Sequence, residues 1–182
     1  MIKLNQSQRT DQLWSPDYMA KNVSEIDFKK LSDDGIRALA VDIDGTLVPG
    51  IFDHQVSNEI AKELKLAKKN GHFNELILAT NRMGGASKIA QRIGADQIFY
   101  AQLNYRKPMK NYFTNLLQIT SYEPEQVLMI GDRLWQDIMG ANRMGMKTLL
   151  VDDFGSPQWY DWLLARRYRQ NLRKKKLNLP KL

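Results

Sequence analysis

The stretch IRALAVDIDGTLV, residues 36–48, sets the fold class, because a buried apolar run stops abruptly at two carboxylates, Asp42 and Asp44, and then a glycine. Ile36, Ala38, Leu39, Ala40, Val41 and Ile43 form a nearly continuous apolar segment, the pattern of a strand covered on both faces inside a parallel sheet. In open α/β sheets ligands bind beyond the carboxyl ends of the strands, which is where Asp42 and Asp44 fall. Gly45 allows the sharp turn that follows. Taken alone, the two aspartates could be turn formers that hydrogen-bond their own backbone.

The later elements argue against that reading. Thr80 ends the run ELILAT, Lys107 with Pro108 follows QIFYA, and Asp132 follows QVLMIG. A parallel sheet brings all of these strand ends to one edge. Around them, SEIDFKKL predicts a short amphipathic helix leading through Asp33, Asp34 and Gly35 into the first strand. Ser57 to Asn70 predicts a helix with Ile60, Leu64 and Ala67 on one face, closed by Gly71. Further helices are expected around Ala86 to Ile93, Met109 to Ile119 and after Leu134, with strands at Ile98 to Ala101, Val127 to Ile130 and in MKTLLV. Five β units alternating with helices give a doubly wound, Rossmann-like three-layer α/β/α fold with a mainly parallel sheet.

Composition narrows the possibilities. A chain of 182 residues, 43% hydrophobic, suits one domain with a substantial core, expected over 1–165, and a basic extension, 166–182. There is no cysteine, which removes disulfides and thiolate metal sites, and two histidines, His54 and His72, are too few for a zinc cluster. No run of about 18 apolar residues occurs, and the first residues lack the apolar core of a signal peptide, so a cytoplasmic chain is expected.

DIDGT, Thr80, Lys107 and GDRLWQD, in that order from Val41 to Asp137, resemble the four motifs of the haloacid dehalogenase (HAD) superfamily of phosphohydrolases. The resemblance implies that Asp42 attacks phosphorus to form an aspartyl phosphate, and that Asp44 serves as general acid and then general base. Thr80, Asn81 and Lys107 would grip the phosphoryl oxygens, Asn81 through its backbone or its amide. Magnesium would be held by the Asp42 and Asp132 carboxylates and the Asp44 backbone carbonyl, an oxygen-only shell suited to a hard cation. Gly45, Thr46, Gly131 and Asp137 would support the site, Asp137 more through that shell than as a ligand. Its alternative role is a first-turn helix acid.

Family members usually insert a cap domain after the first or second motif. Here 36 positions separate Asp44 from Thr80 and 27 separate Thr80 from Lys107, enough for a loop, a helix and a strand each. An open site admits a phosphate on a bulky or interfacial substrate. The formal net charge is +7, and Arg166 to Leu182 holds eight cations and no acid, so the remaining chain stands at −1. Trp159, Tyr160, Trp162, Leu163 and Leu164 precede that segment, a combination of aromatic anchors and cations that favours peripheral contact with an anionic membrane. Nucleic acid is the competitor, and a solvated terminus without partner the plain alternative.

GIRALAVDIDGTLV, RKPMKNYF and GDRLWQDIMGANRMGMKTLLV are similar to the capless subfamily IIIA branch that includes phosphatidylglycerophosphate phosphatases. Many members of that branch carry Asn where Gly45 stands, and a serine–asparagine motif where this chain has Thr80, Asn81 and Arg82. The resemblance implies hydrolysis of an anionic phospholipid phosphate at the inner membrane face, with an oligomer possible. Two other readings are a phosphatase of a soluble metabolite or macromolecule and a non-enzymatic phospho-receiver. The second carboxylate, Asp44, weighs against the receiver, since it is placed to hydrolyse the aspartyl phosphate that a switch must keep.

Overall fold

The computed structural model describes residues 12–50 and 53–151. The expected basic segment 166–182 and the aromatic anchors before it lie outside the described residues. Six strands, β1 (Tyr18–Ala20), β2 (Ala38–Val41), β3 (Glu75–Thr80), β4 (Gln97–Tyr100), β5 (Val127–Gly131) and β6 (Lys147–Val151), form one sheet in the order β1-β6-β5-β2-β3-β4. Every pairing is parallel. The strand carrying the two aspartates therefore sits in the middle, between β5 and β3, and all four of its residues are buried.

The sheet separates two apolar layers, and alternation along β2 assigns its residues to them. Leu39 and Val41 join Leu76, Leu78, Leu128 and Ile130 under α1 (Phe28–Asp33), α2 (Asn58–Lys69) and α3 (Ser87–Ile93). Ala38 and Ala40 join Ile77, Ala79, Val127 and Met129 under α4 (Lys110–Gln118). The alanines thin that face, so the large side chains Tyr112, Phe113 and Leu116 of α4 fill the space. Local chemistry starts the helices: Ser57 accepts from the Ile60 N–H at 3.2 Å, and Asp27 from that of Lys30 at 2.9 Å.

The layered parallel architecture matches the sequence reading, with three differences. A sixth strand, β1, adds to the edge of β6, held where the Asp17 carboxylate accepts the Thr148 N–H at 2.9 Å. The helix expected over SEIDFKKL is two pieces, a 3₁₀ turn at Val23–Glu25 and then α1, because Ile26 is extended and Asp27 caps a new start. The helix after Leu134 opens as a π-helix, Leu134–Met139, in which the Ile138 N–H reaches the Arg133 carbonyl at 3.2 Å, before one α-turn at Gly140–Asn142. Among the described residues no helix is long and apolar enough to cross a membrane.

Candidate active site

Beyond Val41 the backbone stays tied to the sheet for one more residue, since the Asp42 N–H donates to the Ile130 carbonyl at 2.9 Å. The chain then folds back at once. Gly45 takes φ +86°, and its N–H donates to the Val48 carbonyl at 2.8 Å, closing a turn that no β-carbon would favour. That turn buries Asp42 and Thr46, and the Thr46 hydroxyl donates to Asp132 Oδ1 at 3.2 Å. The ends of β2 and β5 are thereby linked.

Lys107 supplies the positive charge. Its Nζ lies 2.5 Å from Asp42 Oδ1 and 2.6 Å from Asp137 Oδ1, and the side chain is 1% exposed. Asn81 sets the approach of the backbone, accepting the Lys107 N–H at 2.8 Å while its amide donates to the Lys107 carbonyl and to Gln136 Oε1, both at 3.2 Å. With its side chain committed there, Asn81 has only its backbone N–H to offer a phosphate, one of the two options open in the sequence. Thr80, fully buried, accepts the Arg82 N–H at 3.0 Å, which leaves its hydroxyl hydrogen available to donate. Below them, the Tyr112 hydroxyl donates to the carbonyls of Thr80 and Phe99 at 3.3 Å, and burial pushes its pKa up.

Asp42, Asp132 and Asp137 each offer a carboxylate oxygen within 4.8 Å of the other two, and all three are buried. Asp42 is raised to about 6 on balance, because burial and the neighbouring Asp137 and Asp44 charges push it up by more than Lys107 pulls it down. Burial alone would lower Lys107, but Asp137 and Asp42 more than reverse this, so its ammonium is held charged. Two of the three buried carboxylates, Asp42 and Asp137, contact the Lys107 ammonium, and the Arg133 guanidinium lies 3.6 Å from the third, Asp132. An oxygen-only, negatively charged cluster of this kind fits a hard divalent cation. Asp137 lies beside Asp42 and Asp132 in this cluster and also accepts the Arg133 N–H at 3.1 Å. Gly131 makes room for it, because a β-carbon there would lie 2.5 Å from Asp137 Oδ2.

Asp44 faces a different partner, one the sequence reading did not assign. Arg82 Nε lies 3.1 Å from both Asp44 oxygens and Nη2 2.5 Å from Oδ1. The same guanidinium donates to the carbonyls of Gly50 and Asp53 at 3.0 and 3.1 Å, and Nη1 lies 3.2 Å from His54 Nδ1. Arg82 therefore fixes the second carboxylate and the loop after it in one contact set. The available sequence signal was its position, an arginine two residues past Thr80 at the edge where Asp44 needs a counter-charge.

Residues 104–156 match the HAD-hydrolase-like family. The chain is 28% identical over 136 residues to the probable phosphatase YqeG of Bacillus subtilis, covering 75% of this chain and 76% of that one. It is 33% identical over 93 residues to glyceraldehyde 3-phosphate phosphatase of Pyrococcus furiosus, covering 48% of this chain but 38% of that protein. A haloacid dehalogenase-like hydrolase from Brucella suis has the same fold, with a TM-score of 0.53 at 11% identity over 68% of this chain and 91% of that one.

Proposed function

We propose that the chain is a HAD-like phosphatase, and more finely a magnesium-dependent phosphomonoesterase acting on phosphatidylglycerophosphate in phospholipid synthesis; its similarity to the HAD-hydrolase-like family and to a probable phosphatase supports the coarser reading. The observation that carries the chemistry is the buried grouping of Asp42 with Lys107, Asp132 and Asp137 at the edge where β2, β3, β4 and β5 end.

A phosphate monoester repels a carboxylate nucleophile until its charge is offset. Lys107 and the Thr80 hydroxyl would hold the phosphoryl oxygens, and the Asp42 carboxylate would attack phosphorus as the ester oxygen leaves. Asp44 would give that oxygen a proton and later take one from the water that cleaves the aspartyl phosphate. Asp42, Asp132 and Asp137, with the Asp44 backbone carbonyl, would hold magnesium. The bound ion supplies further positive charge against the phosphoryl oxygens.

The lipid substrate is supported by the subfamily resemblance and by the lack of any inserted domain among the described residues. The chain forms a loop and α2 between β2 and β3, and a loop and α3 between β3 and β4. The basic segment 166–182 would hold the domain, 1–165, at the membrane. A soluble substrate is the second reading, favoured by the relative named for glyceraldehyde 3-phosphate. A panel of phosphorylated lipids and metabolites assayed with magnesium separates the two. Highest kcat/KM on the lipid is expected, and a soluble ester hydrolysed better by tenfold or more overturns it. Asp44→Asn should slow phosphate release from a generic aryl phosphate by about 10²-fold or more, and an unchanged rate would remove the hydrolytic role given to Asp44.

A further inference from the structure

Among the described residues four large apolar side chains are exposed, and three of them, Met83, Leu103 and Met109, belong to the two loops that carry Arg82 and Lys107 into the site. The sheet starts their two loops side by side. Thr80 and Tyr100 pair in adjacent parallel strands, and Met83 and Leu103 each stand three residues beyond that pair. Met109 is two residues past Lys107, whose ammonium reaches Asp42. Met83 is 72% exposed, Leu103 86% and Met109 48%.

Charge picks out the occupant. Residues 81–88 and 101–110 contain no acid, and Lys88, Arg106 and Lys110 are exposed within them. Apolar tips flanked by cations complement an anionic lipid surface, where side chains enter below the head groups and cations remain beside the phosphates.

We infer that the loops after β3 and β4 form a membrane-docking rim, with Met83, Leu103 and Met109 entering an anionic bilayer around the mouth of the site. This rests on the lipid-phosphate reading and deepens it. The bilayer itself closes an otherwise open pocket, and the substrate's phosphate reaches Lys107 without leaving the interface.

The chain has no cysteine, so Leu103→Cys carries a single environment-sensitive fluorophore, and Lys69→Cys, at the far end of α2, carries the control. Full-length labelled protein is mixed with phosphatidylglycerol or phosphatidylcholine vesicles, neither containing a phosphomonoester. A blue shift at position 103 on the anionic vesicles alone, with position 69 silent, is expected. Met83→Ser with Leu103→Ser and Met109→Ser should weaken vesicle association about tenfold or more while thermal unfolding is unchanged. Association with position 103 silent, an equal shift on phosphatidylcholine, a shift that grows with protein concentration before vesicles are added, or no association each overturns the inference. Hydrolysis of a detergent-dispersed lipid phosphate is read separately. Docking without that hydrolysis removes the substrate reading alone, and hydrolysis without docking removes the rim alone.

Discussion

Gly131→Ala tests how tightly the carboxylate cluster is built. Gly131 ends the central strand β5 and pairs with Leu150, so its backbone is fixed, and the new methyl would lie 2.5 Å from Asp137 Oδ2 and 2.6 Å from Asp137 Cβ. Ordinary contact begins near 3.4 Å, so Asp137 must retreat by roughly 1 Å. That retreat stretches the bond from Lys107 Nζ, now 2.6 Å, and the bond from the Arg133 N–H, now 3.1 Å. Charge-assisted hydrogen bonds of this kind contribute about 1.5–3 kcal/mol each, so losing both destabilises by about 3–6 kcal/mol. At about 2–4 °C per kcal/mol for a chain of this size, Tm should fall by about 6–24 °C. Misplacing Asp137 should also raise the magnesium needed for half-maximal aryl phosphate hydrolysis by about 10–100-fold. Gly140→Ala is the control, since its methyl would lie 2.7 Å from Phe113 Cζ, in the core under the sheet. It should lower Tm and leave the magnesium dependence of the folded fraction alone. If Gly131→Ala behaves like Gly140→Ala, or changes neither quantity, the coupling between Gly131 and the cluster is refuted.

Lys107→Met leaves Asp42 and Asp137 buried without their shared ammonium, so stability in chelator should drop by about 3–5 kcal/mol, and magnesium should restore more Tm to this variant than to the parent. Equal magnesium effects in calorimetry would contradict the shared-charge argument. Arg82→Ala should cut kcat by about 10-fold or more through loss of the Asp44 and loop contacts, and Arg82→Lys should not rescue it, because one ammonium cannot make the two-sided contact. Full rescue by lysine would show that charge alone suffices. In ion-free protein, Asp42 has its pKa raised to about 6, so the folded state binds the proton more tightly than the unfolded chain. The resulting stability is present at low pH and lost as pH rises through 6, so between pH 7 and pH 5 the parent should gain about 1 kcal/mol relative to Asp42→Asn by urea unfolding. A relative loss over that window would reverse the sign and defeat the burial argument.

The strands that sequence revealed were those buried on both faces, where an unbroken run such as ELILAT has no other use in a chain of this length. β1 escaped notice because it is three half-buried residues whose pairing comes from distant contacts. Asn142, for example, donates to the carbonyls of Leu13 and Ser15 at 2.9 and 3.0 Å, more than 120 residues away in sequence. In the site, the acids and the lysine were legible because each follows a strand and parallel strands share an edge. What was not legible was which cation meets which acid. Asp44 and Arg82 are 38 positions apart, and only the adjacency of β2 and β3 joins them. The place of Asp137 beside Asp42 and Asp132 depends on a π-helical start that no hydrophobic period announces.

The central claim is that the Asp42 carboxylate, held against Lys107 beside two further acids, is the group that takes the phosphoryl transfer. Replacing it with asparagine keeps the shape and removes the nucleophile. Phosphate release from an aryl phosphate with saturating magnesium should fall by about 10³-fold or more in Asp42→Asn, with the protein folded by circular dichroism. A variant that retains a tenth of the parent rate would contradict the account.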